Sequence, residues 1–345
     1  MNTSPELPSR SLDPLPKPMS VGEIIKAGWQ SYTANFVRNF VIALKGLLWS
    51  IAPVVVALVA IRVFIQQVLG ELSTIDAEAI RPYLGPLVLA IAALAVFSLY
   101  CLAQSLGHLL GISRLAFQSL NAEPESEKVA LRFTRSRKFS MLKAALLQSL
   151  IVFVAYFAVI STLTLLAIIA ANLFNIDAAN PSPNVALYLL IGLLGAISII
   201  VAICALIWLV LRLMLIPQPL ALEQNASAVR SVTRSWQLSR KNAGRILLVT
   251  LLYLLISLPI SIVTYIVSNT VVLSLFGSQA SIPGDSPESV TTFITATLVN
   301  LLLSTLGSLI VTPFWYTTLA ALYFDLRNRL TQSITAKDKI LVSNS

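Results

Sequence analysis

Residues 29–69, WQSYTANFVRNFVIALKGLLWSIAPVVVALVAIRVFIQQVL, and residues 236–276, WQLSRKNAGRILLVTLLYLLISLPISIVTYIVSNTVVLSLF, open in the same way. Trp29-Gln30, Asn35 and Arg38 recur as Trp236-Gln237, Asn242 and Arg245, and each set leads straight into a long apolar run. Leu44, Leu47, Leu48 and Ser50 match Leu251, Leu254, Leu255 and Ser257 in the same register, and Pro53 falls one position from the place that Pro259 would occupy. Leucine matches are cheap in an apolar chain, whereas Trp, Asn and Arg matches are not. A weaker third copy, carried by Thr134, Phe139, Ser140 and Lys143, stands before another apolar run.

The composition sets the solvent. With 57% hydrophobic and 11% charged residues and a mean hydropathy of +0.83, the chain lies outside the range of soluble domains. About 20 apolar residues cross the roughly 30 Å hydrocarbon core. Six stretches qualify: Val41–Leu69, Leu84–Leu110, Leu142–Phe174, Val185–Leu215, Ile246–Phe276 and Val290–Tyr323. The expected fold is therefore all-α and membrane-integral, with six transmembrane helices arranged as three repeated hairpins. Residues 20–330 form the membrane domain, in units of about 20–120, 121–220 and 221–330. Residues 1–19, with Pro5, Pro8, Pro14, Pro16 and Pro18, read as a disordered tail rather than a signal peptide, and residues 331–345 as a flexible tail.

Charge placement orients the spans. Lys26, Arg38, Arg114, Arg135, Lys143, Arg212, Arg234, Arg245 and Arg327 flank one set of span ends, whereas residues 70–83, 175–184 and 277–289 hold mainly Glu71, Asp76, Glu78, Asp177, Asp285 and Glu288. The positive-inside rule puts both termini in the cytoplasm. The net charge of +9 then serves topology and contact with anionic lipid headgroups. It is spread over every basic span end, which excludes a nucleic-acid patch. A homo-oligomer or a membrane-protein partner fits the same composition.

A short amphipathic helix is expected to lead into each hairpin on the cytoplasmic side. Ser20 and Glu23 have capping-box spacing, and Ile25, Trp29, Tyr32 and Phe36 follow on one face. Val229, Val232 and Trp236 repeat that face, with Arg230 and Arg234 on a more polar side. Such helices lie in the headgroup layer, Trp at the interface and Arg38 and Arg245 at the phosphates.

The chain carries no P-loop, zinc-protease helix or nucleophile elbow, one histidine and two cysteines. His108 reads as a packing group at a span end, and Cys101 and Cys204 as apolar residues within spans. No metal site, cofactor or catalytic residue is expected, and the chain is read as a non-enzyme.

The strongest family signal closes the last span. Leu322-Tyr323-Phe324-Asp325-Leu326-Arg327-Asn328-Arg329 resembles the close of bacterial membrane proteins related to the glycerophosphoryl diester phosphodiesterase membrane domain. Glu223, Ala228, Arg234-Ser235-Trp236 and Leu238 resemble a second hallmark, and Ser20-Val21-Gly22-Glu23 its opening. The resemblance covers most of residues 20–330. It implies a six-span fold without the soluble barrel that carries the phosphodiesterase chemistry.

The candidate site is a polar cluster at the cytoplasmic interface. Glu223, Asp325 and Arg327 are expected to meet Arg114, Arg212 or Arg234, because a buried charge without a partner is unfavourable by several kcal/mol. The repeat anchors are Trp29, Asn35, Arg38, Trp236, Asn242 and Arg245. Two functions remain open: a lipid-associated structural or scaffolding role, and a small permease or lipid transporter with spans kinked at Pro53, Pro259 and Pro313.

Overall fold

The computed structural model describes residues 18–64, 77–173, 185–224, 226–277 and 287–343. In chain order the helices are α1 (Val21–Ala34), α2 (Phe36–Phe64), α3 (Ala77–Leu120), α4 (Glu127–Ser136), α5 (Lys138–Leu173), α6 (Val185–Leu213), α7 (Pro217–Leu222), α8 (Ala228–Ser239), α9 (Ala243–Phe276) and α10 (Pro287–Ser343). No strand occurs among the described residues. Six helices are long and apolar enough to cross a membrane: α2, most of α3 and α5, α6 continuing through α7, α9, and α10 as far as Thr335. The chain is an all-α, multi-pass membrane protein.

Three pairs pack as hairpins: α2 with α3, α5 with α6, and α9 with α10. The second helix of each pair also touches the first helix of the next, α3 on α5, α6 on α9 and α10 on α2, so the hairpins close into a ring. Helices α3 and α10 additionally meet each other.

Helices α1, α4 and α8 hold this ring at its basic end. Helix α1 packs on α10, α4 on α3, and α8 on α5, α6 and α7. Their buried residues recur every four positions: Ile24, Gly28 and Tyr32; Ala130 and Thr134; Ser231, Ser235 and Ser239. Small side chains let two backbones approach, and a hydroxyl then bridges them. Thr317 donates to the Gly28 carbonyl at 2.9 Å, Thr134 to that of Gly107 at 2.7 Å and Ser235 to that of Arg212 at 2.6 Å. The face turned to the protein is thus one residue round from the aromatic stripe read in the sequence. Trp29 stays 48% exposed, Val229 69% and Trp236 39%, whereas Tyr32 of the same stripe is buried at 3%, so the stripe lies only partly on the outer side of these helices.

Burial is concentrated at the same end. Ile24, Met141, Leu213, Ile216, Leu220, Leu238, Ile246 and Tyr323 form one core where α1, α7, α8 and the span ends converge. Along the spans Val88, Phe153, Ile200, Leu255 and Leu306 are exposed, as expected of surfaces that meet lipid rather than water.

Two boundaries differ from the sequence reading. Helix α3 runs ten residues past Leu110 and ends where Ala122 takes a positive φ of 57°. Helix α10 continues to Ser343 because residues 331–343 contain neither Gly nor Pro to stop it, so helix replaces most of the tail drawn from residue 331. Met19, placed in the N-terminal tail, is instead hydrogen-bonded to α10 through its N–H and its carbonyl. Residues 1–17 lie outside the described residues.

Helix α1 begins in a complete capping box, Ser20 and Glu23 each bonding the other's backbone N–H. The Ser20 backbone N–H, then its hydroxyl, hold the Glu23 carboxyl below its ordinary value of 4.5. The cap therefore contributes in full above about pH 4.5 and is lost as the pH falls through the lower folded value. Acidification should loosen the start of α1, read as faster amide exchange there. Glu23→Gln should flatten that pH dependence, and an unchanged dependence would count against the cap.

Candidate interfacial polar cluster

Asp325 is 1% exposed on α10 and gathers three partners. It accepts from the Met19 N–H at 2.8 Å and from Arg329 Nε at 2.9 Å, while Arg245 Nε lies 3.0 Å from Oδ2. The Arg245 contact is a charge contact, since its Nε is not aligned to donate. Arg329 also donates to the Met19 carbonyl at 3.0 Å. Residues from both ends of the membrane domain and from α9 thus meet on one buried carboxylate.

Glu223 follows the short α7, whose Pro217 and Pro219 turn the chain after α6. Its Oε1 accepts from the Tyr323 hydroxyl at 2.6 Å and lies 3.4 Å from Arg234 Nε. Arg137 donates to the backbone carbonyls of Glu223, at 2.6 Å, and of Gln224. Burial, and then the nearby Arg114 charge, push the Arg137 guanidinium below its ordinary value.

Arg114 does not join Glu223 or Asp325. Its partner is Glu125, held in a bidentate pair through Nε at 2.6 Å and Nη2 at 3.0 Å. Nη1 donates to the Ala221 carbonyl at 3.2 Å, and the guanidinium stacks 3.7 Å from the Phe133 centroid. The turn after α3 folds Glu125 back onto it, a local pairing that the sequence reading missed.

Arg212 also departs from the expected pairing. It is 8% exposed, yet its guanidinium sits between two indoles, 4.4 Å from Trp208 and 4.5 Å from Trp236. The rings lie 5.7 Å apart at 87°, and Nε has no hydrogen-bond partner. Aromatic faces replace the carboxylate here, a desolvated cation–π arrangement that contributes on the order of 2 kcal/mol. Arg327 stacks more loosely, 5.7 Å from Phe117.

The repeated residues have their own places. Asn35 (φ −133°, ψ 38°) and Asn242 (φ −124°, ψ 13°) share one backbone conformation, at the joints of α1 with α2 and of α8 with α9. Asn adopts such break points readily because its amide bonds locally, as Asn242 does to the Leu238 carbonyl at 3.0 Å. Trp29 packs edge-on against Phe314 at 5.4 Å. Arg38 keeps a buried Nε without a partner. Arg245, read as a phosphate contact, is turned inward to Asp325, because α9 places it beside a carboxylate already buried on α10. His108 is buried, with Nδ1 2.8 Å from the Gln104 carbonyl.

Beyond the residues expected from sequence, the cluster uses Glu125, Arg329, Tyr323 and Trp208. Arg329 was within reach of sequence reading, since it stands four residues after Asp325 on a helix. Trp208 likewise stands one turn before Arg212. Compared with known family models, with curated proteins and with solved structures, the chain matches none.

Proposed function

We propose that this chain is a non-enzymatic protein of the bacterial inner membrane, with both termini in the cytoplasm, whose basic face binds anionic headgroups in a lipid-associated structural or scaffolding role. One observation carries the reading: Arg212, 8% exposed, has no carboxylate partner among the described residues and is held between Trp208 and Trp236, both more than a third exposed. A cation so mounted at a span end suits a lipid phosphate, and the indoles suit the interface around it. Helices α1, α4 and α8 are then the repeated feet of three hairpins. The resemblance to the glycerophosphoryl diester phosphodiesterase membrane domain belongs to the same proposal. Tyr323, Asp325, Glu223 and Arg234, which carry it, are engaged in closing the ring, so the shared pattern is architectural.

The test is lipid retention by purified protein in native mass spectrometry, with phosphatidylglycerol and phosphatidylcholine in competition. The wild type should retain the anionic lipid, and Arg212→Gln should lower its occupancy about fivefold, as expected for one basic contact of roughly 1 kcal/mol. Equal retention of both lipids by the wild type would sink the proposal.

A small permease or lipid transporter is the second reading, favoured by a polar cleft between α9 and α10 at Asn269, Thr297 and Asn300. Vesicles reconstituted with the protein that move no candidate amphiphile would remove it.

A further inference from the structure

Helices α9 and α10 cross tightly at Gly307, where an added Cβ would collide with the Thr264 side chain. From that crossing toward the span ends remote from Arg245 and Arg327, a cleft of about 250 Å³ continues into one of about 430 Å³, the two sharing Asn300 and Ser304. The walls set Asn269, Thr297, Asn300 and Ser304 among Val272, Leu273, Ala296 and Leu301, polar groups at a depth where the neighbouring faces are Leu, Ile and Val.

Most of the hydroxyl donors of these walls are already used. Ser268 donates to the Thr264 carbonyl at 2.5 Å, Asn269 to that of Tyr265 at 2.8 Å, Thr297 to that of Phe293 at 2.8 Å and Ser304 to that of Leu301 at 3.0 Å. What remains facing the cleft is mainly oxygen lone pairs, together with the Thr312 and Tyr265 hydroxyls and the Asn300 amide, whose side chains make no hydrogen bond among the described residues. Hydrocarbon cannot satisfy such groups, and each left bare is unfavourable. Glu288, exposed in the first turn of α10, adds negative charge on the same side, which also carries the exposed Arg62 and Arg81 on α2 and α3.

We propose that this cleft is a water-filled vestibule, open on the face opposite the basic residues, that receives small hydrogen-bond-donating groups (hydroxylated or cationic) and disfavours anions. The assignment goes beyond both functional readings. It stands whether or not Arg212 binds lipid, because the two sites lie at opposite ends of the spans.

Cysteine accessibility tests it on the full chain in intact cells, in a Cys101→Ala, Cys204→Ala background. Asn300→Cys and Thr297→Cys are compared with Leu306→Cys, at a position whose native side chain is exposed on the lipid side of α10. The probes are membrane-impermeant methanethiosulfonates bearing either trimethylammonium or sulfonate. Both cleft thiols should react from outside while the Leu306→Cys control does not, the cationic reagent about tenfold faster, in line with electrostatic focusing in a cleft. Cleft thiols as inert as that control, in cells and in inverted membranes alike, would overturn the vestibule. A sulfonate reagent that reacts as fast would overturn its selectivity. Reaction confined to inverted membranes would overturn the orientation while leaving the hydrated cleft standing. Thr297→Cys keeps the test open should Asn300→Cys fail to fold.

Discussion

Asp325→Ala is expected to lower stability by about 3–5 kcal/mol, the penalty for removing one partner from a buried ion pair, and to release the N-terminal end of the membrane domain. The carboxylate is 1% exposed and faces Arg245, Arg329 and the Met19 N–H. Without it, two guanidiniums sit together at the foot of α9 and α10 with only the exposed Glu23 carboxylate nearby as counter-charge. Thermal unfolding in detergent would report the loss, and limited proteolysis would report exposure of the chain around Met19. Adding Arg245→Ala should restore part of the stability, since it removes one of the two stranded charges; a double variant no better than the single would show that Arg245 contributes nothing to the pairing. The interaction with Met19 separates this from a simple packing defect, because a core cavity elsewhere would not selectively free the first helix.

Gly28→Ala is the second large effect, a destabilisation of about 1–3 kcal/mol from overpacking. A Cβ at Gly28 would lie 2.6 Å from Thr318 Oγ1 and 2.8 Å from its Cα. A rotamer change can move the hydroxyl but not the Cα, so α1 must back away from α10, loosening the Thr317 hydroxyl from the Gly28 carbonyl. Gly111→Ala provides the contrast. There the nearest atom, at 2.6 Å, is a terminal methyl of Leu131, which can turn aside. Similar unfolding temperatures for the two variants would argue against the close approach of α1 and α10.

The class of fold was legible because apolar run length is a one-dimensional quantity. Six runs of sufficient length need no tertiary knowledge, and the Trp-Gln, Asn and Arg spacing marked where two of the short helices join their spans. The facing of those helices was less legible. Trp29 and Trp236 drew the eye to the large apolar stripe, whereas contact inside a membrane protein falls to Gly28, Ser231 and Ser235, whose smallness registers as weak signal on any hydrophobic scale.

Of the residues expected to pair, only two meet each other. Glu223 does approach Arg234, but Arg114 takes Glu125 and Asp325 takes Arg245 and Arg329. Which charges meet depends on the rotation of each helix about its axis and on turns of a few residues, neither of which leaves a periodic trace. Arg212 shows the same limit from the other side. The rule that a buried cation needs a partner held, while the identity of the partner, two indoles, came from Trp208 lying one turn back on α6 and Trp236 arriving from α8.

The contacts between α1 and α10 bear on the order of biosynthesis. Thr317 and Gly28 are joined across 289 positions, and Asp325 reaches Met19 across 306. Chains are made from the N-terminus at roughly 5–20 residues per second, so α1 leaves the ribosome tens of seconds before its docking surface exists. Until the sixth span has been inserted, the narrow Gly28 face has nothing to close on. Helix α1 is therefore made long before the partner that closes its Gly28 face, and an interruption between the two leaves that face uncovered.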